Sequence, residues 1–115
     1  MTELESLRDE LRSFAAERDW DQFHSPKNLA MALAGEAAEV LEVFQWLTEE
    51  QSRGLDAKAH AAVSEEIADV LLYVIRLADK LGVDPVVAAR AKLAANARKY
   101  PADKARGNAK KYTEL

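Results

Sequence analysis

Helix start and stop signals divide this chain into four segments of helical periodicity. Thr2-Glu3-Leu4-Glu5 has the form of a capping box and predicts a first helix over residues 3 to 18. Ser25-Pro26 places an N-cap residue before a proline, and it predicts a second helix that runs to about Leu47. No stretch alternates apolar and polar residues for long enough to indicate a β-strand.

The second half of the chain repeats these signals. Asp56 is the N-cap of a third predicted helix, which ends at Leu81 because Gly82 can adopt the left-handed conformation of a helix terminus. Asp84-Pro85 starts a fourth helix, which ends near Tyr100 because the proline that follows cannot continue it. The chain is therefore expected to be helical over most of its length.

The segments between the predicted helices are short. Residues 48–55 have room for one short turn of helix, and residues 102–115 form a polar C-terminal tail that we expect to be irregular. Helices joined by short connectors predict an all-α, antiparallel four-helix bundle. A chain of 115 residues has room for one domain, so residues 1–115 are assigned to a single domain.

Charge and composition exclude several classes of function. The formal net charge of −4 argues against nucleic acid as a partner, because phosphate backbones are bound by clustered lysines and arginines. The absence of cysteine excludes disulfides and thiolate metal sites. No apolar stretch is long enough for a membrane span and no signal peptide is visible, so we expect a cytoplasmic protein with no membrane partner.

Two pairs of acidic residues lie beside the apolar stripes of the second and third helices. Residues three positions apart share a helix face, so Glu36 lies next to Glu39, and Glu66 lies next to Asp69. Antiparallel packing of the two helices would bring both pairs to one region. Carboxylates so close together repel one another and must be relieved by protonation, by cations or by solvent.

A bound divalent metal is one way to offset the repulsion in such a cluster, and surface salt bridges are the alternative. Magnesium prefers oxygen ligands and also binds phosphate oxygens, so we expect Mg²⁺, with Mn²⁺ as a substitute. The alternative is that these acids are surface residues paired with lysine and arginine. A di-iron site is disfavoured because neither His24 nor His60 follows a glutamate by three positions.

The acidic pairs also carry a resemblance to a known family. Gly35–Glu39, followed by Glu66–Asp69, resembles the E-x-x-E…E-x-x-D signature of the MazG-like, all-α nucleoside triphosphate pyrophosphatases. Several other segments look like the dCTP pyrophosphatase branch of that family. They are Phe14–His24, Asn28-Leu29, Phe44–Trp46 and Lys111–Leu115.

The resemblance implies roles for individual residues. It implies that four acids are the catalytic and metal-binding residues, namely Glu36, Glu39, Glu66 and Asp69. It also implies that Glu36 orients or deprotonates the attacking water. The residues that it implies for the nucleobase are Trp20, His24, Trp46 and Tyr73. The residues that it implies for phosphate and sugar are Lys92, Asn96, Lys99 and Tyr100. It also implies a homodimer or homotetramer.

Three functional hypotheses follow. The first is Mg²⁺-dependent hydrolysis of dCTP or a 5-modified dCTP to nucleoside monophosphate and pyrophosphate, which would remove unwanted nucleotides from the cellular pool. The second is a pyrophosphatase of broad specificity or with dUTP as its substrate. The third is a non-catalytic helical oligomerisation module whose acids only face solvent.

Overall fold

Six α-helices and two 3₁₀ turns form the regular structure of the computed structural model, which describes residues 1–115. The α-helices are α1 (Glu3–Glu17), α2 (Pro26–Phe44), α3 (Glu49–Ser52), α4 (Ala57–Leu81), α5 (Pro85–Lys99) and α6 (Ala102–Ala105). The 3₁₀ turns are Asp21–Phe23 and Tyr112–Glu114. No strand is present, and the all-α class is confirmed.

The helix ends use the capping residues that the sequence predicted. Thr2 and Glu5 form both hydrogen bonds of a capping box at the start of α1. Ser25 and Asp56 accept hydrogen bonds from backbone amides in the first turns of α2 and α4. Gly82 ends α4 with a φ of 67°, a conformation that glycine adopts without steric cost.

The structure differs from the predicted helix bounds in two places. α2 ends at Phe44 rather than at Leu47, because Thr48 has an extended backbone and forms a capping box with Gln51 that begins α3. The short helical turn predicted in this connector is therefore confirmed. The tail is less irregular than predicted, since it contains α6 and the second 3₁₀ turn.

The chain divides into two compact units, of which the first spans Met1–Gly82. In this unit α2 and α1 both pack against α4. Residues just before α2 contact the C-terminal part of α4, and the middle of α2 meets the middle of α4, so the two helices run antiparallel as predicted. The buried apolar side chains of the chain all belong to this unit. They are Ala15, Leu29, Val63 and Ile75.

The second unit spans Val83–Leu115 and contains α5, α6 and the C-terminal 3₁₀ turn. The Tyr112 ring packs edge-to-face on Tyr100 with centroids 6.0 Å apart, and the Lys99 ammonium lies 5.0 Å from the Tyr112 ring centroid. No side chain of this unit is fully buried. The assignment of residues 1–115 to a single domain stays a prediction.

The helices of this chain are also informative about membranes. None of them is both long and apolar enough to cross a bilayer.

Candidate active site

Three carboxylates converge where α2 packs against α4. Oxygen atoms of Glu36, Glu39 and Glu66 all lie within 4.8 Å of one another. The i and i+3 spacing on α2 places the first two side by side, and the antiparallel packing brings the third to them from α4. The structure thus brings together three of the four acids that the sequence singled out.

The cluster lacks the partners that a structural acidic site would have. Glu36 and Glu66 are half-buried, and the Oε2 atom of each is inaccessible to solvent and accepts no hydrogen bond. Buried polar atoms without a partner are rare in folded proteins and call for an explanation. None of the ion pairs of the chain includes Glu36, Glu39, Glu66 or Asp69. The salt-bridge alternative is therefore wrong for this structure.

Mutual repulsion shifts the proton affinity of the cluster. Interaction with the nearby Glu39 carboxylate, partial burial and the charges of the other acids raise the pKa of Glu66 to about 7. Interaction with the same Glu39 carboxylate, together with burial and nearby charges, raises the pKa of Glu36, and Asp69 contributes to both shifts. The carboxylate oxygens converge, and two of them have no partner in the protein. Such a group of oxygen ligands suits a hard divalent cation.

A cavity of about 220 Å³ lies beside this cluster in the first unit. Aromatic and apolar side chains form most of its wall, and the His24 imidazole, one carboxylate and one guanidinium complete it. The lining residues are Leu11, Phe14, Ala15, Trp20, His24, Asp69, Leu72, Tyr73 and Arg76. Pockets for drug-sized ligands are about 300–1,000 Å³, so this cavity has room for one part of such a ligand.

Asp69 joins the cavity to the acidic cluster. It lines the cavity, lies three residues after Glu66 on α4, and its charge raises the pKa values of Glu36 and Glu66. Three of the predicted base-binding residues, Trp20, His24 and Tyr73, line the same cavity. A flat ring held by these side chains would therefore lie next to the carboxylates.

Comparison with known proteins identifies the family of this chain. The sequence model of the MazG-like family matches residues 32–115, which include all four acids. The chain belongs to the MazG-like family. The match begins four residues before Glu36 and extends to the C-terminus, so it includes α4 and the whole second unit.

Individual MazG-like relatives cover nearly the whole chain. Human dCTP pyrophosphatase 1 is 46% identical over 114 residues, which are 97% of this chain and 67% of the human protein. The Bos taurus protein of the same name is 44% identical over 97% of this chain and 68% of its own length. A crystal structure of a pyrophosphatase from Archaeoglobus fulgidus DSM 4304 superposes with a TM-score of 0.82 at 40% identity, covering 88% of this chain and 94% of that one.

The remaining predicted residues of this MazG-like chain lie outside the cavity. Trp46 follows the end of α2, is 87% exposed and does not line the cavity. The four residues predicted for phosphate and sugar belong to the second unit. Lys92, Asn96 and Lys99 follow the i, i+4, i+7 spacing of one face of α5, and Tyr100 follows the end of this helix.

Sequence reasoning missed one polar residue of the cavity. Arg76 is 6% exposed and is the one buried charged residue of the chain. A signal for it existed, since Asp69, Leu72, Tyr73 and Arg76 are spaced i, i+3, i+4 and i+7 along α4 and so share one face. A charged residue on a face of this kind indicates a polar partner, and the structure supplies one in His24.

Proposed function

We propose that this chain hydrolyses nucleoside triphosphates between the α and β phosphates, releasing nucleoside monophosphate and pyrophosphate, with dCTP or a 5-modified dCTP as the preferred substrate. The observation that carries the proposal is the convergence of three carboxylates, two with unpartnered oxygens, beside an aromatic cavity that Asp69 also lines. The names of the dCTP pyrophosphatase relatives support the choice of substrate.

The four acids are the residues that would hold Mg²⁺, or Mn²⁺ in its place. Their carboxylate oxygens are the ligands that these hard cations prefer, and the orphaned Oε2 atoms of Glu36 and Glu66 lack any protein partner. When bound, the cation would supply positive charge that offsets the negative charge of the triphosphate. Because Asp69 lines the cavity, this charge would lie at the edge of the cavity.

The chemical step needs a water molecule placed in line with the bond that breaks. The water oxygen forms a bond to the α-phosphorus, the bond from that phosphorus to the bridging oxygen breaks, and pyrophosphate leaves with the bonding electrons. We assign Glu36 to orient this water and to accept its proton, as the resemblance to the MazG-like family implies, and its carboxylate lies at the cluster.

The base is assigned to the cavity, and the phosphates and sugar keep the residues that the sequence predicted for them. Trp20, His24 and Tyr73 would enclose the base, since aromatic side chains bind bases by stacking. Trp46 would reach a base across an interface between copies, because its side chain is exposed and outside the cavity of its own chain. For the phosphates and sugar we propose the three residues on one face of α5 and the residue that follows this helix. These are Lys92, Asn96, Lys99 and Tyr100.

The proposed assembly is a homodimer or homotetramer. Ile67, Leu71 and Val74 on α4 are 57%, 44% and 37% exposed, and their 4-3 spacing is that of a helix–helix contact seam. On α2, Met31 and Leu41 are 63% and 60% exposed. Exposed apolar side chains along one helix face are typical of an interaction site, and a second copy of the chain offers the same apolar face.

The assembly is tested by sedimentation of two variants with the same added charge. Leu71→Glu places a carboxylate in the apolar seam and should shift the protein to monomer. Ala62→Glu places it on an exposed position about 180° away around α4 and should leave the oligomer intact. An unchanged oligomer in Leu71→Glu would refute the assignment of this seam.

The activity is tested with a matched pair of variants on α2. Glu39→Gln removes one converging carboxylate, whereas Glu42→Gln removes an exposed carboxylate one turn away that is outside the cluster. With dCTP and Mg²⁺, turnover should fall by orders of magnitude in Glu39→Gln and stay near the wild-type value in Glu42→Gln. Near-normal turnover of Glu39→Gln would refute the metal-ligand assignment.

A panel of nucleotides then separates the substrate hypotheses. A kcat/KM for dCTP well above the values for dUTP, dTTP and the purine nucleotides supports the cytosine preference. Equal values would favour the broad-specificity enzyme, and a maximum at dUTP would favour that alternative. Cytoplasmic location remains a prediction from the sequence.

A further inference from the structure

Arg76 is buried in α4 with its guanidinium directed at the segment that precedes α2. Its Nε donates a hydrogen bond to Nδ1 of His24 at 3.1 Å, and its Nη2 donates to Asp21 at 2.7 Å. Its Nη1 lies 3.6 Å from a carboxylate oxygen of Asp79. The side chain is 7% exposed, so these contacts hold it in one orientation.

The contact with Arg76 determines which nitrogen of His24 carries the proton. Arginine has only donors and remains charged at any ordinary pH, so the Nδ1 atom that it contacts must be the acceptor. The single ring proton of neutral His24 therefore resides on Nε2. A doubly protonated ring would direct an N–H at the Arg76 cation and would lose this hydrogen bond.

The surroundings also keep the His24 ring neutral. Burial, followed by the charges of Arg76 and Lys80, lowers the pKa of His24, and the opposite effect of Asp21 is smaller. Asp21 is itself held by Arg76 and by the Lys80 ammonium, which also donates to its carboxylate. Two cations and one carboxylate thus face this imidazole.

The free nitrogen of His24 is a hydrogen-bond donor in the cavity region. His24 and Arg76 both line the cavity, and Nε2 donates to no atom of the protein. Besides Arg76, α4 contributes two polar groups to the cavity wall. They are the Tyr73 hydroxyl and the Asp69 carboxylate, which lies next to the acidic cluster. His24 therefore has one N–H donor left for a ligand in the cavity that this residue lines.

We propose that Arg76 is a positioning residue, which holds His24 as the Nε2–H tautomer so that the cavity recognises a hydrogen-bond acceptor on the nucleobase. This inference rests on the proposed function for the identity of the ligand as a nucleotide. The O2 and N3 atoms of cytosine are acceptors of this kind. A base edge that offers only N–H donors would place a donor against the His24 donor and would bind less well.

The tautomer can be measured in the wild-type protein without any ligand. Long-range ¹H–¹⁵N spectra of the imidazole rings distinguish protonated from unprotonated nitrogens, and only His24 and His60 contribute. A His60→Gln sample assigns the signals, since His60 is exposed and outside the cavity. At pH 7 we expect His24 to be protonated at Nε2 and unprotonated at Nδ1. A ring protonated at Nδ1, or at both nitrogens, would overturn the proposal.

Kinetics then test whether Arg76 acts through His24. Arg76→Lys keeps the positive charge but loses the planar guanidinium that contacts Nδ1. It should raise the KM for dCTP about 3- to 10-fold, the effect of one lost hydrogen bond, with kcat changed less than about 2-fold. In a His24→Phe background the same change should raise KM no further. An equal rise in both backgrounds would overturn the proposal.

A control and the wild-type spectrum separate the possible failures. Arg12→Lys alters the neighbouring ion pair with Asp79 without touching His24, and it should leave KM unchanged. The ring spectrum decides the tautomer even where Arg76→Lys does not fold. Wild-type protein that fails to hydrolyse dCTP would refute the proposed function, whereas the wrong tautomer in an active enzyme would refute only the role of Arg76.

Discussion

The proton affinity of Glu66 offers a quantitative test of the acidic cluster. Glu66→Gln removes one of three carboxylates whose oxygens lie within 4.8 Å, and it nearly preserves the side-chain shape. The neighbouring acids raise the pKa of Glu66 from an ordinary 4.5 to about 7, so the folded protein binds this proton more tightly than the unfolded chain does. Protonation therefore favours the folded state of the metal-free protein.

The sign of the pH dependence follows from this difference. Because the folded pKa is the higher one, the stabilisation by this proton is complete below about pH 4.5 and is lost as the pH rises to about 7. Wild-type protein in a chelator should unfold at lower urea at pH 8 than at pH 5. This decrease should be smaller in Glu66→Gln, which cannot lose a proton at that position.

A neighbouring glutamate provides the control for this measurement. Glu65 is exposed on α4 and outside the cluster, so Glu65→Gln should keep the wild-type decrease between pH 5 and pH 8. Added Mg²⁺ at pH 8 should raise the stability of wild-type and Glu65→Gln protein more than that of Glu66→Gln, since a bound ion stabilises only the state that binds it. Equal pH dependence in all three proteins, measured at one protein concentration, would refute the electrostatic reasoning.

Three further predictions concern the substrate. Lys92→Ala should weaken binding of dCTP several-fold while leaving inhibition by dCMP nearly unchanged, because the lost charge would contact phosphates that only the triphosphate has; equal weakening of both would contradict this role. Trp20→Ala should raise the KM for dCTP about 5- to 150-fold, the loss expected for one stacking contact, and an unchanged KM would remove Trp20 from the base site. A dCTP analogue with an imido group between the α and β phosphates should inhibit competitively and remain intact, and its hydrolysis to orthophosphate would contradict cleavage at that bond.

Local signals explain why most of the fold could be predicted from the sequence. Thr2, Ser25 and Asp56 cap helices through atoms within three residues of themselves, so their effect is visible in short segments. The end of α2 depended on competition between continued helix and the capping box of Thr48. Periodicity alone does not decide such a competition, and the predicted helix was three residues too long.

The acidic cluster could also be predicted, because helix geometry and chain reversal bring Glu36 and Glu66 together without further information. The buried network of Arg76 could not, since it depends on Asp21 and His24, which lie more than 50 positions away in the chain. Which side chains line the cavity is likewise a result of packing. Trp46 shows where helical spacing alone fails. The spacing predicted that Trp46 lies on the same helix face as Glu39, but α2 ends at Phe44, before this tryptophan.

Analysis of the products formed from dCTP tests the central claim most directly. Wild-type protein is incubated with dCTP and Mg²⁺, and the phosphorus-containing products are identified by ³¹P NMR, with Glu39→Gln as the inactive reference. The account predicts dCMP and pyrophosphate in equal amounts, formed by the wild-type protein alone. Orthophosphate with dCDP would contradict cleavage between the α and β phosphates, and no hydrolysis by the wild-type protein would favour the oligomerisation module instead.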